Sequence, residues 1–265
     1  MKLSIVTISF NQAQFLERTI QSVLAQQGAE IEYILLDPGS TDGSREIIER
    51  YRDCISVIDY SKDAGPADGL NKGLARATGE FFAYVNSDDV LLPGAVEGFA
   101  RTPASFSAVD VIYANGLFID ENDQVLRRAT SAQYFTPWLY VNGLAAIVQQ
   151  ASFIRTAALR AAGGFNRENR TCWDGEAFLK IALDGGRFQR VWADWGGFRI
   201  HGASITGSGR LQDLFQADVQ RMFQETYGRT PHVGDHVAAM AAKAALRIWD
   251  WRRFAVDLAR QARWI

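Results

Sequence analysis

Four successive residues, Asn86-Ser87-Asp88-Asp89, bring an amide, a hydroxyl and two carboxylates together directly after the apolar run Phe81-Phe82-Ala83-Tyr84-Val85. Adjacent carboxylates repel unless a cation or strong donors compensate them, so one chemistry for the cluster is divalent-metal ligation through hard oxygens. The other is helix capping, since Ser and Asp cap well and Leu91-Leu92-Pro93-Gly94 could open a helix. A second acidic pair, in Trp173-Asp174-Gly175-Glu176, stands at the head of a helical pattern whose apolar face is Phe178, Leu179, Ala182 and Leu183. A carboxylate there serves as a general base or only complements the helix dipole. His232 and His236 sit at i and i+4, but without an HExxH pattern they read as surface histidines. Cys54 and Cys172 lie far apart and outside any CxxC pattern, which speaks for reduced thiols and a cytoplasmic location.

The elements that must position these groups follow from periodicity. Leu3 to Ser9, Ile31 to Asp37, Ile55 to Tyr60 and Phe81 to Val85 read as buried strands. Between them, Gln14 to Gln26 carries Phe15, Leu16, Ile20, Val23 and Leu24 at helical spacing, and Ile47, Ile48 and Tyr51 mark a further helix. Strands alternating with helices predict an α/β fold with a doubly wound, mostly parallel sheet. No GxGxxG follows the first strand and no GxxxxGK[ST] occurs, which sets aside a dinucleotide-binding dehydrogenase and a P-loop NTPase. Each strand instead ends in polar residues: Asn11, Asp37, Asp63 and the cluster at 86–89. One such residue is usually a turn former. Four in succession at carboxyl ends point to a shared crevice and a polar ligand. Farther on, Val109 to Ile119 and the Trp-rich Val191 to Phe198 read as strands, and Asp120 to Asp123 as a hairpin turn.

The 265 residues are 48% hydrophobic and 22% charged, enough for one large α/β domain with an appendage. A formal net charge of −2 gives no reason to expect a nucleic-acid partner. The first residues turn polar too soon for a signal peptide, and no apolar run approaches the roughly 20 residues of a membrane span. A soluble or peripheral protein is expected.

Ser4-Ile-Val-Thr-Ile-Ser-Phe-Asn11, Leu36-Asp-Pro-Gly-Ser-Thr-Asp-Gly-Ser44, Asp63-Ala-Gly-Pro-Ala-Asp-Gly-Leu-Asn-Lys-Gly73 and Asn86-Ser-Asp-Asp89 occur in this order. With Gln149-Gln150, Gly163-Gly-Phe165, Trp173-Asp-Gly-Glu176 and Arg199-Ile-His201, the chain resembles the family 2 glycosyltransferases over roughly residues 3 to 206. The resemblance implies a GT-A fold, a Rossmann-like nucleotide-binding half plus an acceptor half, over residues 1–208, followed by a helical extension over 209–265. It implies an inverting transfer of a sugar from a nucleotide donor, most simply a UDP-sugar, to a saccharide or lipid-linked saccharide in surface polysaccharide biosynthesis. Asp174 matches the family's general base. Ser9, Phe10, Asp37, Asp68, Asn71, Lys72, Asn86 and Ser87 fall where the family binds the nucleotide. Asp88 and His201 match its metal site for Mn²⁺ or Mg²⁺, and Asp89, Gln150 and Glu176 are assigned to the acceptor. Asn86 departs from the usual Asp-x-Asp pattern, and Pro38 from the usual Gly or Asp. The missing carboxylate leaves metal independence open. It also keeps a non-catalytic saccharide- or nucleotide-binding protein as an alternative. A sugar nucleotidyltransferase, the other alternative, would want a Gly-rich basic loop after the first strand, and Ser9 to Gln14 has none.

Leu211 to Tyr227 reads as a helix broken by Gly228-Arg-Thr-Pro231. Val237, Ala241, Ala244, Ile248, Trp251, Ala255, Leu258, Ala262 and Ile265 then form one apolar seam with basic residues in excess. Packing on the domain or on a second copy is one reading; docking at the inner face of the cell membrane is the other.

Overall fold

The computed structural model describes residues 1–102, 108–202 and 211–249. Among these, nine strands form one sheet in the order β3-β2-β1-β4-β8-β6-β9-β5, with β7 also paired to β6. The first block is wholly parallel: β1 (Lys2–Ile8) lies between β2 (Glu30–Leu36) and β4 (Phe81–Tyr84), and β3 (Val57–Asp59) flanks β2. β8 (Ser152–Arg155) runs against β4 and β6 (Val111–Ile119). β9 (Phe188–Arg199) runs parallel to β6, while β5 (Val90–Leu91) and β7 (Val125–Ala129) oppose β9 and β6. Six strands, β1, β2, β3, β4, β6 and β9, therefore share one direction, as the alternating pattern predicts.

Alternation along the strands creates two apolar faces. Leu3, Ile5, Tyr33, Leu35, Phe81 and Ala83 point to one, which is covered by α1 (Ala13–Leu24), α2 (Ser44–Arg50) and α4 (Ala95–Ala100). Val6, Ile34, Leu36, Phe82 and Tyr84 point to the other, under α3 (Pro66–Arg76), α6 (Thr156–Ala161) and α7 (Trp173–Leu183). Each fully buried aliphatic or aromatic side chain in these layers contributes about 1.5–3 kcal/mol. Gly73 is the contact point of α3: a Cβ there would lie 2.6 Å from Val6 Cγ1.

Two local expectations are corrected. The chain after the acidic cluster does not open a helix at Leu91; Val90 and Leu91 pair with Gly197 and Gly196 of β9, and α4 begins only at Ala95, after Gly94 at φ 78°. The cluster at 86–89 therefore caps no helix. Asn11 is a turn residue: at φ 52° it accepts from Thr41 N–H (2.9 Å), while its own N–H donates to Ser40 Oγ (2.8 Å). Together with Asp42, which accepts from Ala13 N–H at 2.8 Å, it ties the loop after β1 to the loop after β2. That tie fixes where Ser9 and Phe10 stand.

The expected extension divides in the structure. α8 (Gln212–Tyr227) lays Met222 and Phe223 against Cys172 and Leu179 of the α7 region and Val141 of the short α5 (Pro137–Val141). α9 (Val233–Trp249) leaves Val233, Val237 and Met240 exposed. The seam residues Trp251 to Ile265 lie outside the described residues, as does the side chain of Ile248.

Candidate active site

The carboxyl ends of β1, β2, β3 and β4 open on one cavity of about 890 Å³, closed on its far side by β6, β7, β9 and the head of α7. At the first-half end, Ser9 and Phe10 line it beside Pro38, Asp63 and Pro66. Phe10 is 59% exposed, an aromatic ring kept out of the core. Asp37 is fully buried next to this end; one of its oxygens accepts from Gly39 N–H (3.1 Å), Ser40 N–H (2.8 Å) and Arg45 Nε (3.2 Å). Its other oxygen, Oδ2, has no partner, and neither does the buried Ser9 hydroxyl. Buried acceptors without donors are costly, and a ligand N–H or hydroxyl is the kind of group that would relieve them.

The structure does not bring Asp68, Asn71 and Lys72 to the cavity wall. Asp68 accepts from Ala64 N–H (3.0 Å) and pairs with Arg167 (2.8 Å). Asn71 spends both ends of its amide on the backbone of Phe165, donating at 2.7 Å and accepting at 2.9 Å, and so staples α3 to the Gly163-Gly164 turn. Lys72 donates to Ser61 Oγ (3.2 Å) and to the Lys62 carbonyl. Asp63, Gly65 and Pro66, at the head of the same segment, occupy the wall instead.

The loop after β4 is held rigidly. Thr19 of α1 donates to the carbonyls of Ser87 (2.9 Å) and Asp89 (2.7 Å), and Ser87 N–H donates to Ile8 O (3.2 Å). Asp89 faces inward and accepts from Arg199 N–H (2.9 Å), Gln150 Nε2 (2.8 Å) and Asn86 Nδ2 (3.3 Å). Burial first, and the Asp88 charge second, raise its pKa. Asp89 and Gln150, expected at the acceptor, line the cavity but are bonded to each other. Asp88 points outward and meets His201 Nε2 at 3.1 Å, and the His201 ring packs on Phe15 at 4.8 Å. Arg199, fully buried, donates to the Asp88 carbonyl (2.7 Å), which links β9 to this loop. Among the described residues no three His, Cys, Asp or Glu side chains cluster as a metal cage. The oxygen and nitrogen donors available are the Asp88 carboxylate and the His201 imidazole, in contact, and, two residues before Asp88, the unpartnered buried Asn86 Oδ1. That set suits a hard divalent cation only if substrate oxygens complete the shell.

Asp174 lies in the first turn of α7, on the cavity wall beside Trp173 and Thr171. Burial pushes its carboxyl above the usual range, partly offset by backbone N–H groups at the helix start. Gly175 behind it is required by packing, since a Cβ there would lie 1.9 Å from the Tyr140 hydroxyl. Glu176, expected at the acceptor, does not line the cavity. It is 1% exposed and accepts from Asn166 (2.8 Å), Asn169 (2.7 Å), Lys180 (3.1 Å) and Arg221 (2.6 Å). It bolts α7 to α8, while Asp174 keeps the open position.

The family is decided by sequence: the model of glycosyl transferase family 2 matches residues 4–158. This chain is a family 2 glycosyltransferase. It is 35% identical over 135 residues to an uncharacterized glycosyltransferase of Nostoc sp., which covers 49% of this chain and 41% of that protein. It is 38% identical over 90 residues to the putative teichuronic acid biosynthesis glycosyltransferase TuaG of Bacillus subtilis, covering 33% of this chain and 36% of TuaG. The chain thus spans about two-fifths of the length of these curated relatives. Among solved structures, S. aureus TarS 1-349 in complex with UDP-GlcNAc superposes with a TM-score of 0.69 at 19% identity, over 93% of this chain and 72% of TarS 1-349. The mannosyltransferase PcManGT from Pyrobaculum calidifontis, in complex with GDP-Man and Mn²⁺, gives 0.61 at 16% identity, over 98% and 74%. These likenesses establish the GT-A fold.

Several wall residues of this glycosyltransferase were not singled out from sequence. Tyr84, Phe118, Arg127, Thr130 and Phe198 all line the cavity. Period-2 alternation on β7 could have separated Arg127 from Arg128, but which of the two borders the cavity is set by Asp194, which takes Arg128 at 2.8 Å and buries it.

Proposed function

We propose that the chain is an inverting glycosyltransferase that moves a sugar from a UDP-sugar to a saccharide or lipid-linked saccharide acceptor in surface polysaccharide biosynthesis. The observation that carries this reading is the sharing of one cavity by Asp174, Asp88 and the Ser9–Phe10 end. Asp37 Oδ2 would accept the imide N–H of the base, a donor that suits a carboxylate. Phe10 would flank the ring, and the Ser9 hydroxyl would meet the nucleoside. A divalent cation, Mn²⁺ or Mg²⁺, would be held by Asp88 and His201 with the Asn86 amide oxygen, and when bound it neutralises charge on the leaving diphosphate.

Asp174 would take the proton of the acceptor hydroxyl as that oxygen attacks the anomeric carbon from the face opposite the diphosphate. A carboxyl pushed up by burial is a stronger base than an ordinary Asp. Trp173 and Tyr84 line the same cavity and would exclude water from it once substrates are bound. Glu176, Arg221 and Tyr140 position the helix that carries it. Outside the site, no helix of the described residues is long and apolar enough to cross a membrane. The exposed Val233, Val237 and Met240 on α9 support peripheral contact with a membrane face or a second copy. Incubating the protein with a panel of nucleotide sugars, with and without Mn²⁺, tests the reading. Slow hydrolysis of a UDP-sugar is expected, and binding of no nucleotide sugar refutes it.

A further inference from the structure

Arg127 is a charge that the donor-site residues leave unexplained. It lies on β7, a strand that among the described residues is bonded only to β6, and it lines the cavity. Its guanidinium sits 3.9 Å from the centre of the Phe118 ring, and Phe118 packs on Phe198 at 5.4 Å. Among the described residues it meets no carboxylate, in contrast to its neighbour Arg128, which is held by Asp194. An arginine on an edge strand commonly serves only to keep that edge solvated. Such a residue has no need of an aromatic platform or of a place on a cavity wall.

A guanidinium held over a ring face spends no N–H donor on that contact and keeps its fork available to a phosphate or carboxylate. The side of the cavity indicates whose anion this is. Arg127 shares the lining with Ala129, Thr130, Gln149, Gln150 and Asp174, all of which follow β4 in the chain. The first-half strand ends supply a separate set for the nucleotide.

Resting on the glycosyl-transfer reading above, we infer that Arg127, on its Phe118–Phe198 platform, recognises an anionic group, phosphate or carboxylate, on the acceptor saccharide. The acceptor is then a charged glycan, bound with its anion at Arg127 and a neighbouring hydroxyl presented to Asp174.

The protein, saturated with UDP, is titrated by ligand-observed NMR with glycerol 3-phosphate and glucuronate, and with glycerol and glucose as neutral counterparts. The anionic probes are expected to bind at least about tenfold more tightly than the neutral ones. In Arg127→Ala that preference disappears while UDP affinity and melting temperature stay within error. Arg127→Lys retains only part of it, because a point charge replaces the planar fork. The inference is overturned if the wild type binds none of the anionic probes or binds neutral ones equally. It is also overturned if Arg127→Ala keeps the preference, or if that variant loses UDP affinity instead, which would assign the guanidinium to the donor diphosphate. Wild-type protein that fails to bind UDP refutes the donor reading, and the same titration without nucleotide still decides Arg127.

Discussion

Glu176→Gln separates a substrate carboxylate from a structural one. Glu176 is buried and accepts four side-chain donors, so its pKa falls from 4.5 to about 2: burial opposes ionisation, and Arg221, Asn169, Asn166 and Lys180 more than compensate. That depression corresponds to roughly 3 kcal/mol of stability at neutral pH. Gln preserves the shape but turns one acceptor into an N–H₂ facing donors, and leaves Arg221 with only Asp218 (3.4 Å) and Glu225 (3.1 Å). Urea unfolding at pH 7 should show a loss of about 3 kcal/mol, and melting should fall by roughly 6–12 °C for a domain of this size. The sign with pH is fixed. A depressed carboxylate stabilises fully above its unfolded pKa near 4.5 and loses that contribution as pH falls towards about 2. The gap between wild type and variant should therefore close across that window. An unchanged unfolding curve at pH 7, with transfer lost, would return Glu176 to the acceptor and refute the latch.

Three further outcomes are expected. In Asp37→Asn the three donors on Oδ1 hold the amide oxygen in place, so the N–H₂ replaces the unpartnered Oδ2 and opposes the base N–H; calorimetry should show UDP weakened by about 1–3 kcal/mol with melting unchanged. Excess chelator should abolish transfer and Mn²⁺ or Mg²⁺ should restore it, whereas full activity in chelator would show that Asn86 marks a metal-independent site. A chain ending at residue 230 should melt like the wild type, whereas one ending at residue 211 should be destabilised because it loses Arg221, Met222 and Phe223; equal melting of the two would contradict the packing of α8.

The sheet was legible because each buried strand stops where apolar alternation gives way to Asn or Asp. Backbone geometry then places those ends together without help from distant residues. The roles of individual carboxylates were less legible. Asp174 and Glu176 stand two residues apart in one helical turn, and the partners that make Glu176 structural include Arg221, 45 positions away, as well as Asn166, Asn169 and Lys180. Likewise Asp88 and Asp89 are adjacent in sequence, but Gln150 and Arg199 draw Asp89 inward and leave Asp88 at the surface of the cavity. Asn71 matches a family motif, yet its partner is the backbone of Phe165, which no local spacing reveals. The strand β5 was missed because two residues carry no readable period; the pairing with β9 decides it.

The central claim is that Asp174 takes the acceptor proton, and Asp174→Asn tests it most directly. General-base help is typically worth about 10²–10⁴-fold in rate. A dipole-complementing aspartate would instead contribute about 0.3–1 kcal/mol of stability. Burial raises the Asp174 pKa, so ionising it opposes folding at neutral pH, and the neutral amide should not lower the melting temperature. The same shift moves the acid limb of the wild-type rate profile above the ordinary Asp range, with rate rising as pH climbs through the raised pKa. The decisive measurement is turnover of the amide variant alongside its melting temperature and its UDP affinity. The account predicts that turnover falls by at least about a hundredfold while affinity and melting are retained; turnover near wild type in a variant that melts lower would contradict it.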